Sequence, residues 1–158
     1  MKIQHITEAE FVALAVPILF HDPLFAQMYC VLMQDDAIPV CKFSARSTLV
    51  QPVIQPINQF IAIGIDETVG FWDLRSSIIA KQLSLSCPFY DFYLSTSHVF
   101  IVSELEVLIL NAATLNPCGE LSYNNFIRNI EVDEQHIKVF FLDGEVKVEN
   151  MSKVILPI

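Results

Sequence analysis

From about residue 53 onward, short runs of Val, Ile, Phe, Tyr and Leu alternate with polar positions and are divided by turn residues, a period of two that predicts β-strands. Residues 53–57, 60–65, 68–74 and 78–85 form one such unit, the last run being more polar and therefore an outer strand. A second unit follows over 91–94, 99–103, 106–111 and 117–122, and a third over 129–132, 137–142, 145–149 and 153–156. The units share a register. Residues 60–69 align without a gap with 98–107, an offset of 38, and these with 137–146, an offset of 39.

A fixed period of roughly 40 residues, with several strands in each unit, is how the blades of a β-propeller read in sequence. A degenerate earlier copy appears when Asp35-Asp36 is laid over Asp66-Glu67, an offset of 31. Pro39 then falls in a strand, where it lacks a ladder donor unless it sits at an edge or a bulge. Ahead of this copy, Thr7-Glu-Ala-Glu10 fits a capping box and predicts a short helix over 7–15, ended by Pro17.

The expected fold is thus all-β: a propeller-like array of three to four short antiparallel blades with a short N-terminal helix, either closed as a small propeller or open as a half-propeller. The expected organisation is a single domain over 1–158, with a cap segment at 1–25, a degenerate repeat at 26–52 and repeats at 53–89, 90–127 and 128–158. One blade cannot bury its own faces, so open edges invite pairing. A homodimer through blade edges is expected as readily as a monomer.

The stretch Asp66-Glu-Thr-Val-Gly-Phe-Trp-Asp73-Leu-Arg resembles the D-x-T-V-x-x-W-D core of WD40 repeats, and Val107-Leu-Ile-Leu-Asn-Ala-Ala-Thr-Leu115 resembles the matching strand of quinoprotein-like propellers. The likeness covers roughly 53–158. Only one unit keeps Trp-Asp, and no glycine precedes a histidine, so the Gly-His pair usual in WD40 repeats is missing. What the resemblance implies is a protein-binding platform without catalysis.

Composition narrows the function. The chain has 158 residues, 53% of them apolar and 17% charged, enough for a sizeable core with strands buried on both faces. Nine basic residues against 18 acidic give a net charge of −9, which disfavours direct nucleic-acid binding and attracts a basic protein partner. Cys30, Cys41, Cys87 and Cys118 form no C-x-x-C pair and no metal spacing with the four histidines, so no metal and no cofactor is expected. Free cysteines in apolar strands suit a reducing, cytoplasmic setting. The apolar run 11–20 is too short to span a bilayer, follows acidic rather than basic residues and contains Pro17, so it is expected to be a buried segment rather than a membrane or signal sequence.

No G-x-S-x-G, phosphate loop, H-E-x-x-H or EF-hand motif is present. His98 and His136, the latter beside Asp133-Glu134, are the only candidate bases for a hydrolase or lyase, and packed or rim positions are their ordinary reading; no catalytic residues are expected. The repeat register instead gathers acids in the turns between second and third strands: Asp35 and Asp36, Asp66 and Glu67, Glu104 and Glu106, Asp143 and Glu145. Equivalent turns emerge at one rim, so these eight residues are the expected partner-binding row, although Asp is also a common structural choice in tight turns. Tyr90, Tyr93 and Tyr123 lie near inter-blade loops as anchors or lids, and Trp72 is expected in a blade core. The expected function is an acidic immunity or inhibitor protein that neutralises a basic toxin such as a nuclease; the alternative is a non-catalytic propeller adaptor or scaffold module.

Overall fold

The first sheet is assembled out of chain order. In the computed structural model, which describes residues 1–21, 28–35, 38–45 and 52–156, β1 (Lys2–Ile6) is followed by α1 (Glu8–Ala13), β2 (Leu19–His21), β3 (Met28–Gln34) and β4 (Ile38–Ala45). The spatial order is β1-β3-β4-β2, with β2 parallel to β4 and the other pairs antiparallel. The segment expected as a helical cap therefore also supplies both edges of a sheet. The apolar run 11–20 is correspondingly not wholly buried: Val16, Ile18 and Phe20 point inward, while Ala15, Pro17 and Leu19 are exposed, which is strand alternation.

The capping box forms as expected. Thr7 Oγ1 accepts from the Glu10 amide at 3.2 Å, and Glu10 Oε2 accepts from the Thr7 amide at 3.1 Å. α1 covers the outer face of the first sheet: the Phe11 ring lies 5.0 Å from that of Tyr29, and Lys42 Nζ donates to the carbonyls of Leu14 (3.1 Å) and Phe11 (3.4 Å). Pro39 sits where the β3–β4 register shifts, opposite Met33, and beyond the reach of β2, whose pairing spans only Lys42 to Ser44. No ladder donor is needed there.

The second sheet is a simple meander of β5 (Val53–Ile57), β6 (Phe60–Ile65), β7 (Thr68–Asp73) and β8 (Ile78–Ser84), and the third repeats it with β9 (Phe89–Leu94), β10 (His98–Ser103), β11 (Glu106–Asn111) and β12 (Pro117–Ser122). The fourth has three strands, β13 (Ile127–Val132), β14 (His136–Phe141) and β15 (Val146–Asn150). The strand expected over 153–156 is replaced by α2 (Met151–Val154). Asn150 caps it, its side-chain oxygen accepting from the Ser152 amide at 3.0 Å. The chain then turns toward β12, where Leu156 N donates to Cys118 O at 2.8 Å and partly buried Val154 and Ile155 join the third core.

Alternation distributes the strands' side chains between neighbouring sheets. Ile61, Ile63, Ile65 and Trp72 pack with Phe20, Leu32, Cys41 and Phe43 of the first sheet. Ala62, Val69 and Phe71 point the other way, onto Phe89, Phe92, Val99 and Ile101. On β10, Phe100 and Val102 reverse again and meet Ile127, Ile137, Val139 and Phe141. Burying each such side chain is worth about 1.5–3 kcal/mol, so these three shared cores hold the array together. Among the described residues no fourth core joins β13–β15 to the first sheet, and the array is open.

Two glycines permit the closest approaches. A Cβ on Gly70 of β7 would collide with the Phe20 ring, and one on Gly64 of β6 with the Phe89 ring. Each ring thereby lies directly on a neighbouring strand's backbone.

Candidate interaction surface

Backbone hydrogen bonds lace the turns between second and third strands into one rim. Phe89 N donates to Asp66 O (2.6 Å), Leu85 N to Glu67 O (2.7 Å), Glu104 N to Pro88 O (3.0 Å), Ile127 N to Glu104 O (2.8 Å) and Leu142 N to Phe126 O (2.9 Å). The rim therefore runs without a break from Asp66 to Leu142, each inter-sheet connection wedged between two turns. The same staple recurs in side chains: Ser86 Oγ donates to Glu106 Oε2 at 2.6 Å, and Asn125 Nδ2 to Asp143 Oδ2 at 2.6 Å. Asp35 occupies the corresponding turn of the first sheet and is exposed, whereas Asp36 lies outside the described residues.

Much of this acidity serves the turns. Asp35 and Asp66 have φ of 46° and 50°, the left-handed region that short polar residues tolerate, and Asp66-Glu67 closes a two-residue hairpin between Ile65 and Thr68. Asp66 is only 8% exposed, so it faces inward. Asp143 Oδ1 accepts from the Glu145 amide at 2.9 Å; this bond, with that from Asn125, holds its carboxyl below the usual carboxylate range. Asp35, Asp143 and Glu145 are exposed on the rim, and Glu67, Glu104 and Glu106 are half-buried.

The row is accompanied by apolar side chains that charge alone does not reveal. Phe126 is 49% exposed and Leu142 62%, and the two residues are joined through the backbone beside Glu104 and Asp143. Tyr90 is exposed as well, its hydroxyl pushed up by burial of its ring and by the charge of Glu104. Phe126 and Leu142 thus place a large aromatic and a leucine in water next to the carboxylates of this rim. Tyr93 and Tyr123 are instead half-buried lids, their hydroxyls donating to Val132 O (3.3 Å) and Glu149 Oε1 (3.0 Å). Trp72 lies in the first core, and its Nε1 finds no acceptor among the described residues.

Three histidines lie beside a hydroxyl or thiol, and in two of these pairs the partner is buried. His21 Nδ1 lies 2.6 Å from Ser44 Oγ, but Ser44 is buried. His5 Nδ1 lies 3.4 Å from Cys30 Sγ, and burial pushes that thiol up to about 11, away from the reactive thiolate. His98 is held below its usual value by burial and contacts Ser97 Oγ at 2.8 Å; His136 lies 3.5 Å from Asp133. His98 lines a cleft at the other end of the sheets with Glu134, Asn150 and Ser152. Among the described residues no cluster of His, Cys, Asp and Glu could hold a metal ion, all four cysteines are free and buried, and no helix is long and apolar enough to cross a membrane.

No family model and no curated protein matches the chain. Among solved structures it is similar to the computationally designed Ika4 protein, with a TM-score of 0.56 and 12% identity over 73% of this chain and 74% of that one. It is similar also to the β-propeller domain of Cps50 (Swd1) from Myceliophteria thermophila, with a TM-score of 0.55 and 14% identity over 68% of this chain and 37% of that one. A chain of the mitotic checkpoint complex gives a TM-score of 0.59 and 12% identity over 79% of this chain and 42% of that one. The chain spans less than half the length of these last two. At such identities the likeness is one of fold, and the fold is a propeller-type array of four small sheets.

Proposed function

We propose that this chain is a non-catalytic protein-interaction module of the adaptor or scaffold kind, which engages its partner along the rim between the third and fourth sheets. The observation that carries this reading is the pairing of exposed Phe126 and Leu142 with Glu104, Asp143 and Glu145 on a rim made rigid by cross-sheet hydrogen bonds. Apolar anchors ringed by charge are how protein interfaces obtain affinity and specificity together.

The net charge of −9 favours a basic partner and keeps a second, narrower reading in view: an immunity or inhibitor protein that covers the cleft of a basic toxin. Partners recovered with the intact chain and with a Phe126→Asp, Leu142→Asp double variant separate the possibilities. The rim reading expects the double variant to lose the specific partners while Val12→Asp, on the exposed face of α1, keeps them. Retention of every partner by the double variant rejects it. Inhibition of a purified basic nuclease, lost in the same variant and weakened by salt, supports the narrower reading.

A further inference from the structure

The fourth sheet ends on a strand with one side unused. The second and third sheets each carry an outer strand, β8 or β12, next to their third strand; β15 has no such neighbour among the described residues, because α2 leads the chain away toward β12. Phe141 N donates to Glu145 O at 3.0 Å and Met151 N to Gln135 O at 2.7 Å, so residues 145, 147, 149 and 151 face β14. The N–H and C=O groups of Val146 and Val148 and the N–H of Asn150 therefore aim outward, while the Asn150 carbonyl, at the N-cap, serves the first turn of α2. Their side chains stand on the sheet face away from the third core, where Val148 is 57% exposed. At the other end of the array the corresponding outer face is covered by α1.

We propose that two copies of this chain pair through β15, antiparallel, about a two-fold axis passing between the two Val148 residues. In this register Val148 faces Val148 of the partner subunit and the two exchange both their hydrogen bonds, while the Asn150 N–H donates to the carbonyl of Val146 of the partner subunit. Lys147 then lies opposite Glu149 of the partner subunit, and the two-fold repeats that pair. The occupant is a second copy because the strand's own charges complement themselves only when it runs against itself. A slip by one residue turns the bonding groups away from each other. A slip by two places Lys147 against Lys147 of the partner subunit and Glu149 against Glu145 of the partner subunit in one direction and runs β15 into α2 in the other. A free edge with exposed valines is otherwise an aggregation liability, and a closed pair removes it.

The solution mass of the intact protein, followed by dilution, tests the pairing: twice the 17.9 kDa of one chain is expected, and a single-chain mass up to the solubility limit overturns it. A disulfide scan fixes the register. Hydrogen-bonded antiparallel partners have Cα atoms about 5.5 Å apart, within disulfide range, and the native cysteines are buried. Val148→Cys should oxidise to a covalent dimer, while Val146→Cys should not; equal rates for the two reject the axis. Lys147→Glu should weaken the dimer about tenfold or more by opposing like charges, and Lys147→Glu with Glu149→Lys should restore it. A folded charge-swap variant that stays monomeric overturns the pairing.

Discussion

The ring of Phe20, on the parallel edge strand of the first sheet, occupies the space where a side chain on Gly70 of β7 would stand. Glycine at this position lets the first and second sheets close on their shared core. Gly70→Ala should therefore destabilise the protein by about 1–3 kcal/mol in urea titrations, as overpacking does. Adding Phe20→Leu should return part of that loss, because contacting residues do not add. A neutral Gly70→Ala would mean that Phe20 does not rest there.

Cys30 and Cys41 lie within the same core, and burial pushes their thiols up to about 11 and about 12. Only the thiolate reacts, and at pH 8 about one Cys30 thiol in a thousand is ionised. Brief alkylation at pH 8 followed by mass spectrometry should leave both residues unmodified in the folded protein and label both after denaturation. Rapid labelling of the folded protein would contradict the packing of this core.

Asp143 accepts from the Glu145 amide and from Asn125, which lower its folded pKa. A carboxylate so shifted contributes stability above the ordinary carboxylate value of about 4 and loses it as pH falls through its folded value. Thermal melts between pH 7 and pH 2 should show Asp143→Asn less stable at neutral pH and less sensitive to acid. Parallel acid limbs for the two proteins would remove Asp143 from the rim staple.

Gly119 on β12 lets the C-terminal segment settle: a Cβ there would come within 2.8 Å of the Val154 carbonyl oxygen. Gly119→Val should lift residues 154–156 off β12 and open the chain after Asn150 to proteolysis, with little change in the second and first sheets. Unchanged cleavage would show that the backbone contact is dispensable.

The strands from Val53 to Ser122 were legible because each alternates over a full core and is joined to the next by a turn of recognisable chemistry. The N-terminal edges were not. Lys2–Ile6 lacks clean alternation and its partner β3 lies more than twenty residues away, while Leu19–His21 is hidden inside an apolar run whose inward and outward residues are both hydrophobic. Lys153-Val-Ile-Leu156 has strand composition, yet Asn150 captures the Ser152 amide and the apolar residues find β12 instead of β15.

Of the rim, the acids were visible in the repeat register and their continuity is seen in the backbone bonds. Their division of labour was not visible, because whether Asp66 turns in or Phe126 turns out depends on which connection packs above it. Phe126 stood in a polar stretch, Asn124-Asn125-Phe126, and an isolated aromatic there carries no periodic signal.

Cores shared pairwise leave this molecule without a centre. A disturbance at Lys2 reaches Asn150 only by crossing three interfaces in series, each able to absorb part of it, so the two ends behave as nearly independent thermodynamic parties. Sequence drift at one end is thereby insulated from the packing at the other.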